Sequence, residues 1–229
     1  MRTSPLRWSR LRHRYFVTGT DTDIGKTRVT AALALALRDA GVRPTIVKIV
    51  QTGVQQSQEG DAQRAAGVAG TPWLEFARLS KPADPWAAAL DAGVIPLQAV
   101  ALAAQLDAIP GSVVAEGAGG IMVPLNEHEQ IGDVAARAKL SAVVVVGLRL
   151  GCINHALLTL QRCDALALAV GGVVLVERWG ATGEAYRADV RRALEPRARV
   201  LGLVAYDESE AASVAAAAAL FKPLVKEER

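Results

Sequence analysis

The chain has 229 residues, 51% of them hydrophobic and 21% charged, a balance that excludes a disordered polymer and suits one large globular domain. Lys and Arg number 26 against 23 Asp and Glu, and Arg2, Arg7, Arg10 and Arg12 crowd the start; the rest is near neutral and carries no basic footprint for nucleic acid. The longest stretch without a charged or polar side chain, residues 165–176, contains two glycines and falls short of the roughly 18 residues that a membrane-crossing helix needs.

Residues 1–13 read as a disordered basic leader, since no apolar segment follows the charges as it would in a secretory signal. Residues 14–229 then form a single domain. Cys152 and Cys163 are too few for a disulfide framework or a thiolate metal site, so a reducing cytoplasm is the simplest home. Residues 14–18 are a β-rich run ending in a glycine turn. Residues 26–40 are helical, with Val29, Ala32, Leu33, Ala36 and Leu37 on one face and Gly41 as the stop. Residues 45–50 read as a strand, 51–60 as a polar loop, 61–69 as a helix, and the stretch around Pro72, Pro82 and Pro85 as irregular. A helix over 97–108 follows.

In the second half, strands are expected over 112–116, 142–147, 172–176 and 200–204, and a glycine loop over 117–120. Helices are expected over 133–140, 153–167, 184–194 and 209–221. Strands apolar on both faces, alternating with helices, predict an α/β fold with a mostly parallel central sheet covered on both sides.

The strongest chemical signal is GTDTDIGKT, residues 19–27, between the first strand and the first helix. Glycines let backbone N–H groups converge on phosphate oxygens at a helix N-terminus; a Lys reaches the β- and γ-phosphates, and a Thr hydroxyl holds Mg²⁺. Gly25, Lys26 and Thr27 meet these needs, which makes the fold of the P-loop NTPase type. The first glycine stands one residue earlier than in the usual spacing, with Thr20 in its place. KIVQTG, residues 48–53, puts Lys48 at a strand's C-terminal end, where an open α/β sheet faces its ligand. A second positive charge there can act on a transferring phosphoryl group. EGAGG, residues 116–120, supplies Glu116 as a carboxylate for Mg²⁺, and Asp61 is a second metal candidate. Read alone, Asp61 is also a helix N-cap residue. Asn154, in GLRLGCINHALLTLQ, can cap the next helix, whose free N–H groups suit a carboxylate. His155 reads as structural, and both cysteines as packing residues.

These motifs, with the Gly60–Asp61–Ala62 step, occur in an order and spacing that resemble the dethiobiotin synthetase family, closely from about residue 15 to residue 161 and loosely beyond. The resemblance implies an ATP-dependent ligase that takes CO₂ onto an amine of 7,8-diaminononanoate, phosphorylates the carbamate and closes a cyclic urea. It implies Lys26 and Lys48 as catalytic residues. Nucleotide contacts fall on Asp23, Ile24, Gly25, Lys26, Thr27, Arg28, Asp61, Glu116, Gly117, Ala118 and Gly119. Mg²⁺ falls on Thr27, Asp61 and Glu116. Thr22, Thr52 and Asn154 become substrate-side residues, Asn154 acting across a homodimer interface.

The sequence departs from the family where an amide would read adenine: Val176 and Glu177 stand there, and Leu203 to Tyr206 replace a Pro-containing strip. A carboxylate can only accept from a base's exocyclic amine, which predicts weak discrimination among ATP, CTP and GTP. Two rivals share the loop: a nucleotide-switched interaction ATPase, which carries an early loop Lys where this chain has Asp21, and an inactive nucleotide-binding relative.

Overall fold

The computed structural model describes residues 13–226. Along the chain run β1 (Arg14–Gly19), α1 (Lys26–Asp39), β2 (Pro44–Lys48), β3 (Gln51–Thr52), α2 (Asp61–Ala69), β4 (Trp73–Glu75), β5 (Arg78–Leu79), α3 (Pro85–Asp91) and α4 (Ala99–Ala108). There follow β6 (Ser112–Gly120), α5 (Ile131–Arg137), β7 (Ser141–Gly147), α6 (Cys152–Ala165), β8 (Val170–Val176), α7 (Glu184–Leu194), β9 (Val200–Val204) and α8 (Glu210–Ala218). A 3₁₀ turn (Ala219–Phe221) leads into α9 (Lys222–Lys226).

Seven strands form one sheet in the order β4-β2-β6-β1-β7-β8-β9, every pairing parallel. Period-two alternation sends successive side chains to opposite faces. Val143 and Val145 join Val29, Leu33 and Leu37 of α1 in one core layer; Val144 and Val146 join Leu102, Val134 and Leu160 in the other. Both layers are built from Ala, Val, Leu and Ile, and the expected parallel sheet with helices on both faces is what the chain forms.

Several expectations need correction. The glycines after Glu116 do not leave the sheet: β6 runs on to Gly120, where it pairs with Gly19 of β1. The loop expected from residue 51 begins with a two-residue strand, β3, which pairs with β5 in a separate small sheet. The stretch read as irregular holds β4 at the sheet edge and a helix, α3, which Asp84 caps by accepting from the Ala87 N–H, with Pro85 at its first position. The helix expected over 209–221 ends at Ala218 and passes through the 3₁₀ turn. The expected leader lies outside the described residues apart from His13, which is buried and whose carbonyl accepts from Val113 N.

In an open parallel sheet the ligand crevice lies at the carboxyl ends of the strands, where neighbouring connections diverge. Here β1 is central. The connection after it turns into α1, β6 and β2 lie on one side, and β7, β8 and β9 on the other. Lys48, the last residue of β2, and Glu116, midway along β6, are direct register partners.

Candidate active site

A cleft of about 720 Å³ opens at these strand ends. Its floor is the loop between β1 and α1. Gly25 sits at φ +103°, a left-handed conformation that costs an L side chain dearly, and a Cβ there would stand 2.9 Å from Val176 Cγ1. The loop can take this path only because residue 25 is glycine. No side chain caps α1, and no acid stands in its first turn, so its leading N–H groups face the cleft as ready anion donors.

Lys26 and Thr27 line the cleft. The Lys26 ammonium donates to the Asp21 carbonyl of its own loop at 2.8 Å. Burial, chiefly, pulls its pKa below the ordinary lysine value, with nearby Lys48 adding to the effect against Glu116 and Asp61.

Lys48 is the hub. Its Nζ donates to Asp61 Oδ2 and Glu116 Oε1, both at 2.7 Å, and to the Gly117 carbonyl at 3.3 Å. Lys48 is 3% exposed and Glu116 only 1%. Burial disfavours the ammonium, yet the two carboxylates outweigh it and raise the Lys48 pKa above its ordinary value. Asp61 is also opposed by burial, but Lys48 prevails and holds its carboxyl below the usual range. Thr27 Oγ1 donates to Glu116 Oε1 at 3.1 Å, and Thr30 Oγ1 to Oε2 at 2.9 Å. Every partner of this buried charge cluster is therefore a hydrogen-bond partner as well, the condition under which buried ions are tolerated.

The cleft brings together Thr22, Asp23, Gly25, Lys26, Thr27, Arg28, Lys48, Thr52, Asp61, Glu116, Ala118 and Gly119. Ile24 is instead buried in the core, and a Cβ on Gly117 would touch the Phe16 ring, so their parts in the site are structural or through the main chain. Asp61 is not an N-cap: Gly60 holds that position, and the Asp61 N–H donates to Gln51 Oε1 while its carboxylate serves Lys48. Asn154 is not a cap either. Gly151 precedes α6, and Asn154 lies exposed in its first turn, away from the cleft of its own chain.

Cys152 and Cys163 are buried and free, and burial pushes the Cys163 thiol up to about 11, as packing residues require. Sequence reading missed Thr30, although a polar residue one turn after Thr27 on an apolar helix face was the available signal. It also missed Gln51, Arg64 and Glu210, which line the cleft; Arg64 meets both Asp61, three residues away, and the sequence-distant Glu210.

A phosphate-binding loop between the first strand and first helix of a parallel sheet, facing a buried Lys and two carboxylates, defines a P-loop NTPase. A family model described as an AAA domain matches residues 13–222. The fold resembles a ParA family ATPase from Chlorobium tepidum TLS (TM-score 0.53, 14% identity, 93% of this chain and 94% of that one). It also resembles chloroplast FtsY from Physcomitrella patens (TM-score 0.52, 15% identity, 95% and 69%).

Sequence relatives are more specific. The ATP-dependent dethiobiotin synthetase of Nitrosospira multiformis is 36% identical over 85% of this chain and 89% of its own length. That of Mycobacterium tuberculosis is 38% identical over 88% and 93%. That of Ralstonia nicotianae is 41% identical over 69% and 73%. The chain belongs to the dethiobiotin synthetase family.

Proposed function

We propose that the chain is an ATP-dependent dethiobiotin synthetase that joins CO₂ to 7,8-diaminononanoate. One amine adds to CO₂ to give a carbamate, whose oxygen attacks the γ-phosphorus of ATP as the bond to ADP breaks. The second amine then attacks the carbonyl carbon, phosphate leaves, and the urea ring closes. The observation that carries this reading is Lys48, held between Asp61 and Glu116 over the phosphate loop, in the same cleft as Thr22 and Thr52.

Phosphoryl transfer asks for position and positive charge more than covalent help. All three Lys48 protons are engaged within the chain, so contact with a carbamate or γ-phosphate oxygen requires an exchange of partners. Asp61, 29% exposed against 1% for Glu116, is the partner best placed to let go. Lys26 exchanges the Asp21 carbonyl for phosphate oxygen in the same way.

Among the described residues no group of three or more His, Cys, Asp or Glu could hold a metal. Mg²⁺ nonetheless fits the Thr27 hydroxyl with the Asp61 and Glu116 carboxylates, because it is commonly held by one or two carboxylates with phosphate oxygens and water. Bound there, it adds positive charge at the phosphates.

Asn154 serves the cleft of a second copy. Leu158, one turn further along α6, is 55% exposed, and Leu150, in the loop just before the helix, is 94% exposed, an apolar patch beside Asn154 suited to a homodimer. No helix among the described residues is long and apolar enough to cross a membrane.

The test is phosphate release from ATP with Mg²⁺ and bicarbonate, with and without the diamine, and mass detection of the cyclic urea. Release is expected only with the diamine. Equal release without it, and no urea, would replace this reading with a nucleotide-switched ATPase.

A further inference from the structure

The far side of the cleft is lined by Arg178, in the loop of residues 177–183 after β8, and by Glu210, which directly follows the loop of residues 205–209 after β9. The sheet order says what they face. With a terminal phosphate at Lys26 and Lys48, as the proposed function has it, on the β6 and β2 side of the phosphate loop, the rest of a nucleotide extends toward β8 and β9. Val176 abuts Gly25 of the loop, Arg28 Nη1 donates to the Asp207 carbonyl at 3.0 Å, and Arg178 lines the cleft.

Glu177 joins these two loops from within. It is 3% exposed. Oε1 accepts from Thr182 N at 2.8 Å, from Thr182 Oγ1 at 2.7 Å and from Arg187 Nη1 at 3.1 Å; Oε2 accepts from Tyr206 N at 3.2 Å. Its own N–H donates to Val204 O at 3.0 Å. Three donors crowd Oε1 and one takes Oε2, and the side chain is almost wholly enclosed by its own chain. That burial, more than a lack of lone pairs, sets it apart from a side chain that would reach an exocyclic amine of the base. Val176 also faces the phosphate loop rather than a base.

We propose that Glu177 is a positioning residue for nucleotide recognition: it fixes the two loops that shape the base end of the cleft and makes no contact with the base. Selectivity among bases then resides in the main chain of those loops. The proposal rests on the nucleotide-binding reading of the cleft but not on the identity of the second substrate.

The experiment compares the full chain with Glu177→Ala and Thr182→Val by equilibrium dialysis with ATP, CTP and GTP. It also measures KM for ATP and for the diamine, and circular dichroism confirms folding. Glu177→Ala is expected to weaken all three nucleotides together by about tenfold or more, in proportion to the several bonds lost, while the diamine KM moves far less. Thr182→Val, which keeps the Thr182 N–H bond, should weaken them in the same direction by about twofold to threefold.

A folded Glu177→Ala with unchanged nucleotide affinity overturns the proposal, as does loss of one base alone, which would make the carboxylate a reader. Should Glu177→Ala not fold, unchanged affinity in Thr182→Val overturns it. Dialysis needs no turnover, so an unmodified chain that binds ATP but makes no urea would sink the proposed reaction and leave this comparison standing.

Discussion

The two ends of the cleft use buried carboxylates in opposite ways. At the reacting end Glu116 and Asp61 hold Lys48, and the bonds are between charges that must change partners when anions arrive. At the base end Glu177 is bonded by donors of its own chain, three of them neutral N–H or O–H groups and one the Arg187 guanidinium. The first arrangement is poised for exchange and the second is framework. Burial alone does not separate them, because Glu116 is 1% and Glu177 3% exposed. The shared cation does: Lys48 also bonds Asp61, whose carboxylate is 29% exposed and can give way.

The sharpest way to break this comparison is Lys48→Ala. Its kcat is expected to fall by about 10²-fold or more, with ATP affinity changed far less, because the charge acts as the transition state forms. It also leaves Glu116 buried without its cation, at a cost of about 3–5 kcal/mol in denaturant unfolding. Adding Glu116→Gln should restore much of that stability and none of the rate, which separates chemistry from framework within one pair. Unchanged turnover in Lys48→Ala would remove it from the catalytic group. Lys26→Ala, by contrast, should weaken ATP binding as well as rate.

A smaller effect is expected from Glu116→Gln and Asp61→Asn. Each change is close to isosteric, so a role in holding Mg²⁺ should appear as a several-fold rise in the Mg²⁺ needed for half-maximal rate, rescued by more metal. Titration curves that overlay the unmodified enzyme's would take both residues out of the metal site.

The smallest effect is acid sensitivity. Asp61 and Glu177 both have pKa values held below the ordinary 3.8 and 4.5. For Glu177, burial is outweighed by the hydrogen bonds from Thr182, Tyr206 and Arg187. A depressed folded pKa gives stability that is present above the unfolded value and lost as pH falls toward the folded one. Tm should therefore hold near neutrality and drop as pH goes below the ordinary carboxylate range. In Lys48→Ala the share due to Asp61 should vanish while that due to Glu177 remains. A Tm that is flat down to about pH 3 in the unmodified chain would contradict both assignments.

Much of the reacting end was legible because its residues stand in short motifs where an apolar strand run gives way to polar residues and glycines, so that local pattern and chemistry coincide. GTDTDIGKT, Lys48 and Glu116 could be placed by reading along the chain, and α2, α7 and β9 have the bounds that periodicity predicts. The base end was not legible. Glu177 meets Thr182 across five residues, Arg187 across ten and Tyr206 across 29, and no local signal announces such bonds. Asn154 was misplaced as a cap because Gly151, at φ +90°, already turns the chain into α6. Three-residue β4 is too short for any alternation to show, whereas Asp84–Pro85 is a local signal for the start of α3.

Lys48 and Glu116 face each other in the pairing of β2 with β6, and this has a consequence for how the molecule assembles. Side chains alternate along a strand, so a slip of one residue would turn Lys48 into the layer of Leu102, Leu106 and Val134 and leave Glu116 without its cation. Two isolated ions in an apolar interior cost far more than the slipped pairing could return. The charges that serve the reaction thus also proofread the sheet: a chain that has settled its strands has, by the same act, brought its reacting groups into place.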